Sequence, residues 1–342
     1  MNLRYPPSIH LANLPTPIEK LEKISALWEG PEIYIKRDDL TGSSLSGNKV
    51  RKLEFAVADA LKQNADTLIT CGGIQSNHAR ATAVTASRMG MSSFLVLRRN
   101  RNAKNEGNLF IDELVGADFK FITPEEYKKV DYIMADVAEM LRKKGKKPYI
   151  IPEGASNEIG YFGYIRAAKE ISKQLKKMKL DIDFIITATG SGGTLGGLIL
   201  GKKFFDLKAQ PIGFNVCDTS IAFQNRIHNV FVKMTSTYKW DIKIQKDEIS
   251  LIDGYVGKGY AISRPEELKF ITEVARLEGI ILDPVYTGKA MFGLRDQIYK
   301  KHFKKGQKIL FIHTGGIFGL FPKRKEFTEV WEGINVLPQN KM

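Results

Sequence analysis

Four short segments of the chain carry residue types whose spacing suits chemistry. The first is Ser46-Gly47-Asn48-Lys49, which runs on into Val50, Arg51, Lys52, Leu53 and Glu54 and reads as a turn opening an amphipathic helix. A lysine in a helix's first turn meets the positive end of the peptide dipoles, which disfavours its protonated form. An amine held uncharged can form an imine with a carbonyl, and the plain alternative is a solvated surface lysine. The second segment, Cys71-Gly72-Gly73-Ile74-Gln75-Ser76-Asn77-His78, leaves a strand and enters a helix. Backbone N–H groups and the Ser76 and Asn77 side chains there suit a carboxylate or another anion, and simple capping of the helix is the alternative.

The third segment, Thr189-Gly190-Ser191-Gly192-Gly193-Thr194-Leu195-Gly196-Gly197, follows an apolar run and opens another helix, so its backbone can wrap a phosphate. It is not the dinucleotide fingerprint, because Leu195 stands where Gly or Ala is required, and no Gly-Lys-Ser/Thr follows to make a P-loop. Asp218, at the end of the next strand, keeps a nicotinamide oxidoreductase as an alternative. The fourth segment pairs Asp283-Pro284-Val285-Tyr286-Thr287-Gly288 with His313-Thr314-Gly315-Gly316, whose hydroxyls can donate, accept or exchange protons. His10, His78, His228, His302 and His313 are scattered and Cys71 has no neighbouring cysteine, so no metal site is expected. No Gly-x-Ser-x-Gly elbow surrounds Ser76 or Ser191, which leaves a hydrolase triad without support.

Bringing these segments together is the work of the elements between them. The chain has 342 residues, 43% hydrophobic and 26% charged, and at about 150 residues per domain that suggests roughly two globular cores. Short β-rich runs alternate with longer helical ones, the signature of an α/β fold with a mostly parallel sheet. Strands are expected at 33–36, 67–71, 93–97, 119–122, 149–151, 184–188, 212–217 and 309–313, and helices at 50–63 and 78–89. Residues 239–263 are the least regular stretch and hold Gly254, Gly257 and Gly259 with Trp240, Tyr255 and Tyr260, which suits either a loop near a site or an ordinary surface connection.

The formal charge of +14 admits nucleic acid or an anionic ligand. Its basic runs, such as Lys143, Lys144, Lys146 and Lys147, fall at helix ends and lack interleaved aromatics, so solvated helix termini explain them and no nucleic-acid partner is expected. No window approaches the roughly 18 apolar residues of a membrane helix. The first twenty residues hold four prolines and no secretory apolar run, and with only two cysteines a cytoplasmic location is expected.

Taken together, the four segments resemble the pyridoxal-phosphate enzymes of the tryptophan synthase β fold, and within them the branch of 1-aminocyclopropane-1-carboxylate deaminase and D-cysteine desulfhydrase. The resemblance extends from Leu14-Pro15-Thr16-Pro17 and Ile35-Lys36-Arg37-Asp38-Asp39 to His313-Thr314-Gly315-Gly316. It implies that Lys49 carries the pyridoxal 5'-phosphate, that Asn77 approaches the cofactor's 3-hydroxyl, and that Ser76 contacts the substrate carboxylate or transfers a proton. It further implies that Thr189, Gly190, Ser191, Gly192, Gly193 and Thr194 cradle the phosphate and that Thr314 meets the pyridine nitrogen. Tyr286 would act as acid, base or positioner, with Asn77, His78 and Thr287 completing the substrate contacts.

The implied architecture is a two-domain, fold type II enzyme with a small domain at 51–162 inserted into a large one built from 1–50 and 163–342, in a homodimer. The deaminase has Glu after the active-site Tyr and Leu in the last turn, whereas this chain has Thr287 and Thr314. The pair resembles the desulfhydrase pattern and implies β-elimination from D-cysteine, with the cyclopropane acid and cysteate as alternative substrates.

Overall fold

The computed structural model describes residues 3–99 and 104–331. Its strands are β1 (Ile18–Lys20), β2 (Glu32–Lys36), β3 (Thr67–Gly73), β4 (Ser92–Arg98), β5 (Asp118–Ile122), β6 (Pro148–Ile150), β7 (Phe184–Thr189), β8 (Gln210–Asn215), β9 (Leu251–Ile252) and β10 (Lys308–Ile312). They form a six-stranded sheet in the order β1-β2-β10-β7-β8-β9 and a four-stranded sheet in the order β5-β4-β3-β6. Among the described residues only the β1–β2 pairing is antiparallel.

Alternation along the strands of the larger sheet sorts side chains into two cores. Ile33, Ile35, Ile186, Ile309 and Phe311 enter one apolar cluster, while Tyr34, Ile185, Leu310 and Ile312 enter another. Helices therefore cover both faces, which is why these strands read as continuous apolar runs. In a parallel sheet all strands finish at one end, so the turns after β3, β7 and β10 open at the strands' carboxyl ends. The second and third chemical segments, and the His313–Gly316 half of the fourth, are those turns.

The first segment is carried by the Asn48–Lys62 helix, which is tied to the Glu158–Met178 helix and to β2 through buried charges. Arg51 donates from Nε to Asp38 Oδ2 (2.9 Å), from Nη2 to Asp38 Oδ1 (2.8 Å) and from Nη1 to Glu170 Oε2 (3.0 Å). Lys36 pairs with Glu170 at 2.5 Å, and the Tyr164 hydroxyl donates to Asp38 at 2.5 Å. Arg51, Asp38, Lys36 and Tyr164 are all fully buried.

The expected strand at 212–217 lies two residues earlier, ending at Asn215, whose side chain donates to Ser220 and Asp253 and turns the chain out of the sheet. Strands β1 and β9 fall outside the expected set. They are edge strands of three and two residues, too short to show a period. Among the described residues no helix is long and apolar enough to cross a membrane.

Candidate active site

A cavity of about 230 Å³ opens where the carboxyl ends of both sheets meet. The structure brings Lys49, Ser76, Asn77, His78, Thr189, Gly190, Ser191, Gly192, Thr194, Tyr286 and Thr314 to its wall. Gly193 and Thr287 do not line it, and each has a different reason.

Lys49 is the second residue of its helix, one position inside the start at Asn48. The preceding Gly47 has φ +97°, and a Cβ there would stand 2.6 Å from the Thr314 carbonyl oxygen, so only glycine lets the two segments meet. The Asn48 N–H donates to that carbonyl at 3.2 Å, and the Asn48 side chain donates to Thr194 Oγ1 at 2.8 Å. One asparagine thus joins the Lys49, Thr314 and glycine-rich segments. Lys49 Nζ lies 3.2 Å from Asn48 Oδ1 and 5.9 Å from the centre of the Tyr286 ring. Burial pulls its pKa down to about 8 against the opposing charges of Glu153 and Asp283, so near neutral pH a useful share of the amine is uncharged.

Ser76 caps the Asn77–Arg88 helix by accepting from the Ala79 N–H at 3.1 Å, so the capping alternative holds at the same time as cavity exposure. The Asn77 carbonyl oxygen accepts from Asn108 at 3.1 Å. Thr70 spends its hydroxyl proton on the Ile151 carbonyl (2.7 Å), so His78 Nε2, 2.9 Å away, is the donor to Thr70. Burial, and then the charges of Lys49 and Lys52, hold His78 well below its ordinary pKa and leave it neutral.

The glycine-rich turn leads into the Gly193–Phe205 helix, which has no side-chain cap. Its first N–H groups have no intrahelical acceptor, as at any helix start. Gly193 lies behind the cavity wall: a Cβ there would stand 2.6 Å from Lys52 Nζ. Lys52 is fully buried and donates to the Gly154 carbonyl (3.1 Å) and to Ser156 Oγ (3.4 Å), and among the described residues it has no carboxylate partner. Burial, then the charge of Lys49, disfavours its ammonium form, a cost that an anion beside it would relieve. An uncapped helix start, a backbone without side chains and an unpaired buried cation together fit a phosphate group.

Tyr286 faces the turn, and its hydroxyl shares a 2.7 Å hydrogen bond with the hydroxyl of Tyr260. Burial raises both, Tyr260 to about 12 and Tyr286 well above its usual value. Thr287 is turned inward instead. Its hydroxyl donates to Asp283 Oδ1 (2.7 Å) and accepts from the Asp283 N–H (2.8 Å), while the Asp283 carboxylate accepts the N–H groups of Val285, Tyr286 and Thr287. The expectation that Thr287 touches substrate is therefore corrected: it braces the loop that presents Tyr286.

Lys52 and Tyr260 escaped the sequence reading, as did Arg98, Tyr127, Glu153 and Cys217 on the cavity wall. Tyr260 lies within the irregular 239–263 stretch, where the glycines are the signal. Asp218, the residue behind the nicotinamide alternative, is paired with Arg226 at 3.5 Å. Among the described residues no cluster of His, Cys, Asp and Glu could hold a metal ion.

A family model described as pyridoxal-phosphate dependent enzyme matches residues 9–315. The bifunctional D-cysteine desulfhydrase/1-aminocyclopropane-1-carboxylate deaminase of Arabidopsis thaliana mitochondria is 45% identical over 92% of this chain and 79% of that protein. A D-cysteine desulfhydrase of Serratia proteamaculans is 37% identical over 92% of this chain and 95% of that protein. A crystal structure of an ACC deaminase homologue matches with a TM-score of 0.87 at 37% identity, covering 95% of this chain and 96% of that one. Its α/β fold, its phosphate-ready turn and these similarities agree, and the chain belongs to the pyridoxal-phosphate-dependent enzymes, in the group of 1-aminocyclopropane-1-carboxylate deaminases and D-cysteine desulfhydrases.

Proposed function

We propose that this enzyme is a D-cysteine desulfhydrase, releasing sulfide from D-cysteine by β-elimination. The Cα–H and Cβ–S bonds break, a C=C bond forms, and the enamine product takes up one water to give pyruvate and ammonia. In this reading residues 51–162, which hold the four-stranded sheet, form the smaller domain, and the site lies between it and the rest of the chain.

Bound pyridoxal phosphate supplies an electron sink for the substrate's α-carbon. The remaining tasks fall to this chain. Lys52 and the turn from Gly190 to Thr194 hold the phosphate, and Lys49 anchors the carbonyl carbon. Ser76 and the backbone of its turn receive the substrate carboxylate, while the Asn77 side chain faces the cofactor's 3-oxygen. The lowered pKa of Lys49 suits it to take the α-proton once substrate has displaced it, while Tyr286 and Tyr260, both kept protonated by burial, orient the substrate and can donate a proton to the departing sulfur.

The observation carrying the substrate choice is the pair Thr287 and Thr314. Thr314, whose side chain is a neutral hydroxyl, lines the cavity, and Thr287 is occupied by Asp283, so neither position brings a carboxylate to the cavity wall. A neutral partner at the pyridine nitrogen leaves a shallower electron sink than a carboxylate would. Sulfide, a weakly basic leaving group, departs from such a site more readily than the carbon of a strained ring.

The test is a side-by-side assay of D-cysteine, L-cysteine, cysteate and 1-aminocyclopropane-1-carboxylate. Sulfide and pyruvate from D-cysteine should exceed any other product by at least about tenfold, the factor that 1.4 kcal/mol of selectivity gives. Dominant formation of 2-oxobutanoate from the cyclopropane acid would overturn the substrate choice.

A further inference from the structure

Asn77 reaches the cavity at the end of a hydrogen-bond chain that begins at a buried arginine. Arg80 is fully buried, three residues into the same helix, and its contacts touch three separate stretches of the chain. Its Nη1 donates to the Ser44 carbonyl and its Nη2 to the Ser46 carbonyl (3.1 Å), in the stretch that leads to Lys49. Its guanidinium lies 4.9 Å over the Phe318 ring, just past the Thr314 turn. Its Nε donates to Asn108 Oδ1 at 2.8 Å. Asp112, the acid Arg80 feels, is buried, its carboxyl pushed up to about 8 by burial, and it makes no hydrogen bond among the described residues, so these donors of Arg80 go to neutral acceptors.

The direction of the chain follows from what each group can do. A guanidinium only donates, so Asn108 must turn its oxygen to Arg80 and its NH2 away. That NH2 donates to the Gln75 carbonyl (2.9 Å) and to Asn77 Oδ1 (3.1 Å). With its oxygen turned to Asn108, Asn77 is held with its NH2 on the other side, and among the described residues that nitrogen makes no hydrogen bond while Asn77 lines the cavity.

We propose that Arg80 and Asn108 are positioning residues that fix the polarity of Asn77, so that it offers a hydrogen-bond donor rather than an acceptor to the 3-oxygen of bound pyridoxal phosphate. The inference rests on the reading that Asn77 faces that oxygen. Lysine could not replace Arg80, since a point charge lacks the fork that reaches Asn108 and two carbonyls at once.

The decisive variant is Asn108→Asp in the holoenzyme. Aspartate keeps an acceptor for Arg80 and adds an ion pair, which offsets the lost bond to the Gln75 carbonyl, but it can no longer donate to Asn77. Asn77 then turns its NH2 towards the introduced carboxylate and its carbonyl oxygen into the cavity. A lost donor and an added negative charge both favour the protonated state of the bound cofactor, so the pH midpoint of its visible absorbance should rise by about one unit or more. The cofactor dissociation constant should rise at least about tenfold, while the melting temperature of the apoprotein stays within about 2 °C of wild type. Arg80→Lys should move the midpoint and the dissociation constant in the same direction. An unmoved midpoint in Asn108→Asp, alongside a moved one in Asn77→Ala, overturns the polarity proposal. An unmoved midpoint in Asn77→Ala as well would place the failure in the reading that Asn77 faces the cofactor.

Discussion

Lys49→Ala is expected to lower turnover by at least about 10⁴-fold, because it removes at once the amine that anchors the cofactor and the base for the α-proton. No neighbouring amine can take over. Lys52 is buried and bonded to Gly154 and Ser156, and it lies outside the cavity wall. The fold should not suffer, since alanine is a better helix former than lysine and the Lys49 side chain is only partly buried. Sulfide release and a thermal melt measured on the same preparation separate the two effects. Retention of more than about a hundredth of wild-type turnover would show that another group supplies the base.

Arg51→Met should lower stability by about 3–5 kcal/mol, the cost of leaving a buried charge without its partner. Burial alone pushes the Asp38 carboxyl up, and Arg51, with Lys36 and Tyr164 beside it, more than offsets that, so the carboxylate sits below its usual pKa. Without the guanidinium, Asp38 keeps only Lys36 in charge balance, with hydrogen bonds from Thr16 and Tyr164, and Glu170 loses two of its donors. The helix carrying Lys49 is tied to β2 and to the Glu158–Met178 helix by this cluster, so cofactor retention should fall with stability. Urea unfolding of holo and apo forms measures both, and a loss under about 1 kcal/mol would mean the cluster contributes little net stability.

Much of the fold was legible because the strands are buried on both faces. Stretches such as 184–188 and 309–313 read as unbroken apolar runs for that reason, whereas β1 and β9 are edge pieces held mainly by their neighbours. The cavity-facing turns were legible for a related reason. Each follows a parallel strand directly, so its sequence address is set by the end of an apolar run.

What stayed hidden depends on distant partners. Lys52 reads as one basic residue among several in a helix, and only the glycine-rich turn folded against it makes it an unpaired buried cation. Thr287 follows Tyr286 directly, and nothing local shows that the helix start turns one residue to the cavity and the next to Asp283. Arg80 and Asn108 are 28 residues apart, so their pairing is a product of tertiary packing alone.

The most direct measurement traps the cofactor on the protein. Apoprotein is exposed briefly to pyridoxal phosphate at several pH values, reduced with borohydride, digested and mapped by mass spectrometry. One pyridoxyl group per chain is expected on the peptide containing Lys49, with a yield that rises from pH 7, reaches half its maximum near pH 8 and levels off about one unit higher, as the amine loses its proton. A label on Lys52, Lys289 or scattered surface lysines, or no label at Lys49 at any pH, would contradict the assignment of this site.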